Sequence, residues 1–249
     1  MSSRAPLKRL LEVMAKLRSP EGCPWDREQD HGTLRFHAVE EAYELMDAIE
    51  SGDDGEMAEE LGDLLLQVVF HTQLAKERRA FDFDAVCRRI TEKLIRRHPH
   101  VFGNSNAKTV DAVWEQWEKI KKAEKAGTKH DRSSALDGIP RHLPALLRAE
   151  KLSKKARKAG LLRESEGAAR LAGMKSLMNA GKRIKRSEIG AALFDLASAS
   201  QAQGWSAEEL LRSETQRREK RWRVVERNRI KPLDPELGSS RGYDPQNGS

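Results

Sequence analysis

The chain has 249 residues, of which 34% are charged and 5% aromatic, long enough for one or two domains and rich in the residues that favour helices, so an all-α fold is expected. No stretch approaches the ~18 uninterrupted apolar residues of a membrane-spanning helix, and the opening Met1–Pro6 carries no apolar signal core, which points to the cytoplasm. The net charge of +7 is uneven: residues 1–130 hold 21 Lys and Arg against 24 Asp and Glu, whereas residues 131–249 hold 25 against 15.

Residues 7–17 predict an amphipathic helix, and Ser19–Asp26 a turn rich in helix breakers that ends near Trp25. Apolar residues then recur at Leu34, Val39, Tyr43, Met46 and Ile49, and again through Leu61, Leu64, Leu65, Val68, Val69 and Leu74. Both sets have helical spacing, the second continuing to about Arg79. Ser51–Gly55 breaks the pattern between them, with Asp53 or Asp54 available as a cap, so an antiparallel helical hairpin is expected.

Five carboxylates sit in two short stretches of this hairpin: Glu40, Glu41 and Glu44 within residues 40–44 of its first helix, and Glu60 and Asp63 within residues 60–63 of its second. Their i,i+3 and i,i+4 spacings put each set on one face, and folding back of the hairpin brings the sets together. Such a cluster repels itself unless a cation holds it. An all-oxygen set suits a hard divalent ion, and Mg²⁺ in particular takes substrate phosphates as further ligands. A solvated acidic face explains most Glu-rich helices, but the apolar run Leu64–Phe70 reads as a buried helix, where unpaired acids are rare.

Phe81–Asp84 reads as a capped entry to a helix over 84–97, stopped by Pro99. Lys93, Arg96 and Arg97 share one of its faces. Favourable placement at a helix C-terminus accounts for them without a ligand; beside a carboxylate site they read as a phosphate clamp. His98 and His100 lack partners at metal-ligand spacing and are not assigned as ligands. A loop over 101–106 leads to a helix at 109–126 bearing Trp114 and Trp117, which could stack on a base, although Trp at this spacing commonly packs a helix. Lys121–Ser134 is charged and polar and reads as a linker. A helix to about Ala159 and further helices to about Arg229 follow, then a tail from Lys231 expected to be disordered. Cys23 and Cys87 are far apart and read as reduced structural thiols.

The two halves echo one another faintly. Glu60–Leu66 is matched by Glu188–Phe194 at an offset of 128, and Lys93–Arg97 by Arg217–Arg221 at 124. The counterpart of the first carboxylate motif falls near 172–176, and Asp63 is replaced by Ala191. The second copy has lost almost every carboxylate, and a site without oxygen ligands cannot hold Mg²⁺, so the second half reads as non-catalytic.

These pieces, in their order, resemble the MazG family of nucleoside triphosphate pyrophosphohydrolases. The resemblance runs from about Leu10 to Glu226. It rests on Gly22–Asp26, Glu40–Glu44, Glu59–Phe70, Arg96–Phe102, Ala135–Pro140 and Leu143–Leu147. It implies two tandem MazG-like helical domains forming a homodimer, with a catalytic domain at 1–126, a linker at 127–135, a degenerate second domain at 136–230 and a tail at 231–249. It also implies Mg²⁺-dependent hydrolysis of NTPs and dNTPs to the monophosphate and pyrophosphate, with Mn²⁺ as a substitute metal, in nucleotide-pool house-cleaning. Carried over by motif, Glu41, Glu44, Glu60 and Asp63 match the metal ligands, and Glu40 matches a ligand or the base for the attacking water. Lys93, Arg96 and Arg97 match the triphosphate contacts, and Trp114 or Trp117 lies against the nucleotide.

The alternatives are fewer. A di-iron bundle needs Glu-x-x-His pairs, and the two carboxylate helices carry none. A helical nucleotide- or nucleic-acid-binding protein without hydrolytic activity would suit the basic second half, but its arginines form no recognisable motif, so nucleic acid is not the expected partner.

Overall fold

The computed structural model describes residues 6–124, 127–128, 134–179 and 183–230. All regular structure among the described residues is helical, in chain order α1 (Pro6–Leu17), α2 (Pro24–Glu28), α3 (His37–Ser51), α4 (Asp54–Glu77), α5 (Phe83–Arg97), α6 (Pro99–Phe102), α7 (Val110–Ala123), α8 (Ala145–Lys158), α9 (Glu164–Asn179), α10 (Arg186–Ala202) and α11 (Ala207–Ile230). The contacts divide the chain into two compact units, Met1–Glu124 and Lys125–Ser249. Among the described residues no helix is long and apolar enough to cross a membrane.

Local chemistry sets the boundaries in the first unit. Gly52 ends α3 in the left-handed region at φ 74°. Asp53 then caps α4, its Oδ1 accepting from the N–H of Gly55 at 2.8 Å and of Glu56 at 3.1 Å. Asp82 does the same for α5 through the N–H of Ala85 at 2.8 Å. Pro99 cannot continue α5 and instead opens α6, so residues 101–102 of the expected loop are helical. The turn after α1 needs a glycine: a Cβ on Gly22 would lie 2.0 Å from the Leu17 carbonyl oxygen.

The core of this unit is formed by Met14 of α1, Leu34, and Val69, Phe70 and Leu74 of α4, with Leu10, Leu11, Leu66 and Phe83 packed against it. Full burial of side chains of this size is worth about 1.5–3 kcal/mol each. The core grips only the C-terminal half of α4. Leu61, Leu65 and Val68 of α4 are exposed, as are Val39, Tyr43, Met46 and Ile49 on α3. The expectation that Leu64–Phe70 is buried throughout therefore fails at Leu65 and Val68: only one stripe of the helix meets the core. Arg18 ties the region down, with its guanidinium on Glu77 at 2.8 Å, on the Asp26 and Gln29 carbonyls, and over the Phe70 ring.

In the second unit α10 packs against α8, α9 and α11. Its interior is built from small and polar residues: Ala192, Ala197, Ala207, Ser153, Ser198, Glu150 and Asp195. Buried Glu150 is satisfied by the Ser206 hydroxyl and the Glu208 N–H, both at 3.1 Å. Buried Asp195 accepts two parallel bonds from Arg170, at 2.7 and 2.8 Å. The expected tail from Lys231 and residues 129–133 of the expected linker lie outside the described residues.

Candidate active site

The hairpin of α3 and α4 places the acidic residues. Ligand oxygens of Glu41, Glu60 and Asp63 lie within 4.8 Å of one another, close enough to share one cation. Glu44 stands beside them: its charge raises the pKa of both Glu41 and Glu60. Partial burial is the largest cause of the upward shift at Glu41, followed by the charge of Asp63. At Glu60, desolvation again comes first, then Glu44 and Asp63. Acidic crowding that raises the pKa of Glu41 and Glu60 in this way is relieved by a cation. Oxygen-only donors of this kind fit a hard divalent cation such as Mg²⁺.

Glu40 is not drawn into this group. It precedes Glu41 by one residue, hence points about 100° away around the helix. Its Oε2 lies 3.3 Å from His37 Nδ1 instead. A residue that motif reading passed over takes a place in the cluster: Gln67, 7% exposed, donates from Nε2 to Glu41 Oε1 at 3.2 Å. Its signal was there, an amide one turn beyond Asp63 in an otherwise apolar run.

The cationic residues are organised by α5 and α7. Glu124, just past the end of α7, accepts from Arg96 Nε at 2.7 Å and from Arg97 Nη2 at 2.6 Å. These two guanidiniums pull its pKa down to about 2, the hydrogen bond from Arg97 being the largest cause. Glu124 lies in the stretch read from composition as linker; here that stretch begins as helix and ends in an anchored carboxylate. Arg97 also sits over Trp117, 5.2 Å from the ring centre, and His98 meets the same ring edge-on at 5.0 Å. Trp117 is thus occupied by packing, whereas Trp114 is 62% exposed. Lys93, one turn earlier on α5, is half-buried. His98 Nδ1 is committed to the Leu94 carbonyl at 2.7 Å.

A second pair of imidazoles links the loop before α3 to α4. His31 and His71 meet Nδ1 to Nδ1 at 2.8 Å with rings stacked 5.1 Å apart. Burial, then the charge of His31, lowers the pKa of His71.

Residues 29–102, which hold both carboxylate helices, match the model of the MazG nucleotide pyrophosphohydrolase domain. Over 233 residues the chain is 40% identical to the nucleoside triphosphate pyrophosphohydrolase of Escherichia coli K12, spanning 89% of this chain and 87% of that one. Over 221 residues it is 41% identical to the nucleoside triphosphate pyrophosphohydrolase/pyrophosphatase MazG of Thermotoga maritima, spanning 87% and 84%. A solved structure of a mazG-related protein from Thermotoga maritima overlays 46% of this chain and 98% of that one, at 26% identity and a TM-score of 0.40.

Proposed function

This chain belongs to the MazG family of nucleotide pyrophosphohydrolases and is a nucleoside triphosphate pyrophosphohydrolase, and from that premise we propose that its first unit hydrolyses NTPs and dNTPs at the α-phosphorus with the help of Mg²⁺. The observation that carries this reading is the meeting of Glu41, Glu60 and Asp63 within 4.8 Å. Those three, with Glu44, are the residues that would hold the metal. Bound there, Mg²⁺, or Mn²⁺ in its place, would neutralise the charge that develops on the phosphates.

The chain's own groups do the rest. Glu40, outside the trio and steadied by His37, has a carboxylate oxygen to take the proton of the attacking water. The water oxygen bonds to the α-phosphorus as the bond from that phosphorus to the bridging oxygen breaks, releasing nucleoside monophosphate and pyrophosphate. Lys93, Arg96 and Arg97 receive the charge of the departing pyrophosphate. Trp114, with its indole exposed, is the better placed of the two tryptophans to lie against the base.

On this reading the enzyme works in the cytoplasm and clears non-standard nucleotides from the pool. The exposed apolar residues of α3 and α4 are the surface through which two copies pair. The second unit echoes the apolar pattern of the first but has lost almost every one of its carboxylates, Ala191 standing where the offset of 128 puts the counterpart of Asp63, and serves packing or dimerisation rather than chemistry.

Product analysis on a panel of NTPs and dNTPs with Mg²⁺ tests the proposal. Monophosphate and pyrophosphate are expected, lost on adding EDTA and lost in Glu41→Gln and Asp63→Asn proteins that keep a wild-type helical spectrum. Diphosphate and phosphate as products, or full turnover in either variant, would overturn it.

A further inference from the structure

Arg96 and Arg97 are consecutive on α5, so their side chains leave the helix about 100° apart and do not naturally face one target. One carboxylate brings them together. Glu124 Oε1 accepts from Arg96 Nε at 2.7 Å, and its Oε2 accepts from Arg97 Nε at 3.1 Å and Nη2 at 2.6 Å. The side chains of Arg97 and Glu124 are 13% and 16% exposed, so this is no freely solvated surface pair. Trp117, two turns before Glu124 on the same side of α7, supports the face of the Arg97 guanidinium. One helix thus fixes Arg97 twice, by its face and by one edge.

We propose that Glu124 is a positioning residue of the triphosphate clamp, tying Arg96 and Arg97 into one unit whose remaining guanidinium edges are presented to the pyrophosphate moiety. This deepens the reading given under Proposed function and rests on it. A guanidinium carries five N–H donors in a planar fork. The bonds to Glu124 use Nε of Arg96 and Nε and Nη2 of Arg97, which leaves both Nη groups of Arg96 and Nη1 of Arg97 for phosphate oxygens. Two cations sharing one anion keep a net positive charge, so the carboxylate orients the clamp without cancelling it. Its strongly depressed pKa keeps it ionised throughout the neutral range.

The test uses the full chain as wild type, Glu124→Gln and Glu124→Asp. The readouts are KM and kcat for an NTP with Mg²⁺, inhibition by pyrophosphate and by nucleoside monophosphate, Mn²⁺ binding without nucleotide, and the thermal midpoint. In Glu124→Gln the amide can accept from one arginine but turns its NH₂ toward the other. That variant is expected to raise both KM and the pyrophosphate inhibition constant by about tenfold, with kcat less affected. Monophosphate inhibition and Mn²⁺ affinity stay at wild-type values, and Glu124→Asp recovers part of the loss. A fall in KM and in the pyrophosphate constant would overturn the proposal, because Glu124 would then be a counter-ion that substrate must displace. Unchanged constants would overturn it too, as would a loss of Mn²⁺ binding in step with the thermal midpoint, which marks a fold contact. If wild type releases no pyrophosphate, or Glu41→Gln keeps its turnover, the functional reading itself fails and takes this inference with it; with both controls in order, the Glu124 variants alone decide.

Discussion

Gln67 holds Glu41 by a 3.2 Å hydrogen bond from its amide while itself only 7% exposed, and so orients one carboxylate of the cluster from inside the helical hairpin. Partners of metal ligands act through orientation, and their loss typically weakens metal affinity ~10–100-fold. Gln67→Leu fills similar space without the donor. It is expected to weaken Mn²⁺ binding, read by titration calorimetry, by about tenfold while the thermal midpoint without metal holds or rises. Unchanged affinity would show that Glu41 needs no such support.

Leu61, Leu65 and Val68 follow one another at i, i+4 and i+7 along an exposed side of α4. If this side pairs two copies, the wild type should have a native mass near twice 28.2 kDa, and Leu65→Glu should halve it. Light scattering behind size exclusion separates the cases. A wild type that elutes as a single chain would remove the dimer.

The His31–His71 contact makes the first unit sensitive to mild acid. One Nδ1 must donate and the other accept, so two protonated rings would set donor against donor at 2.8 Å. Because the pKa of His71 is lowered from 6.5, the unfolded chain takes up its proton at a pH where the folded chain does not. The associated stability is complete above pH 6.5 and declines as the pH drops from there toward the lowered pKa. The thermal midpoint should fall by roughly 2–4 °C more in wild type than in His71→Gln between pH 7 and 5.5. Parallel profiles would rule the pair out as the cause.

Gly22→Ala tests the turn after α1. The added methyl would sit 2.0 Å from the Leu17 oxygen and 2.5 Å from that of Lys16, both backbone atoms that cannot move aside cheaply. The Gly22 and Cys23 N–H groups, each bonded at 2.8 Å to a carbonyl of the same turn, would be disturbed as well. A destabilisation of about 3 kcal/mol is expected in chemical denaturation. A variant as stable as wild type would mean the turn relaxes freely.

What could be read in advance was the chemistry that is local in the chain. Asp53 and Asp82 cap the helices they precede because capping needs only a short acceptor beside free N–H groups. The meeting of Glu41 with Glu60 and Asp63 followed from helical spacing and one break. Spacing did not tell that Glu40 would lie beside His37, at 3.3 Å from its Nδ1. Composition misled at Glu124: a stretch of Lys and Glu reads as solvated, and nothing local in it tells that one Glu will meet arginines 27 and 28 residues earlier. The exposure of Leu65 and Val68 escaped because an apolar stripe states that something covers it, not what.

The bond between Arg170 and Asp195 bears on how the second half balances its buried charge. At the offset of 128, Asp195 is the counterpart of Gln67, and it lies one turn beyond Ala191 on α10. Where the first half gathers Glu41, Glu60 and Asp63 within 4.8 Å of one another, the second sets against its buried carboxylate a guanidinium that belongs to the chain itself. Such a cation cannot be chelated, diluted or exchanged. Removing Arg170 alone would strand the buried Asp195 without the two bonds it accepts, so the charge at this position is balanced from within the chain and calls for no ion from solution.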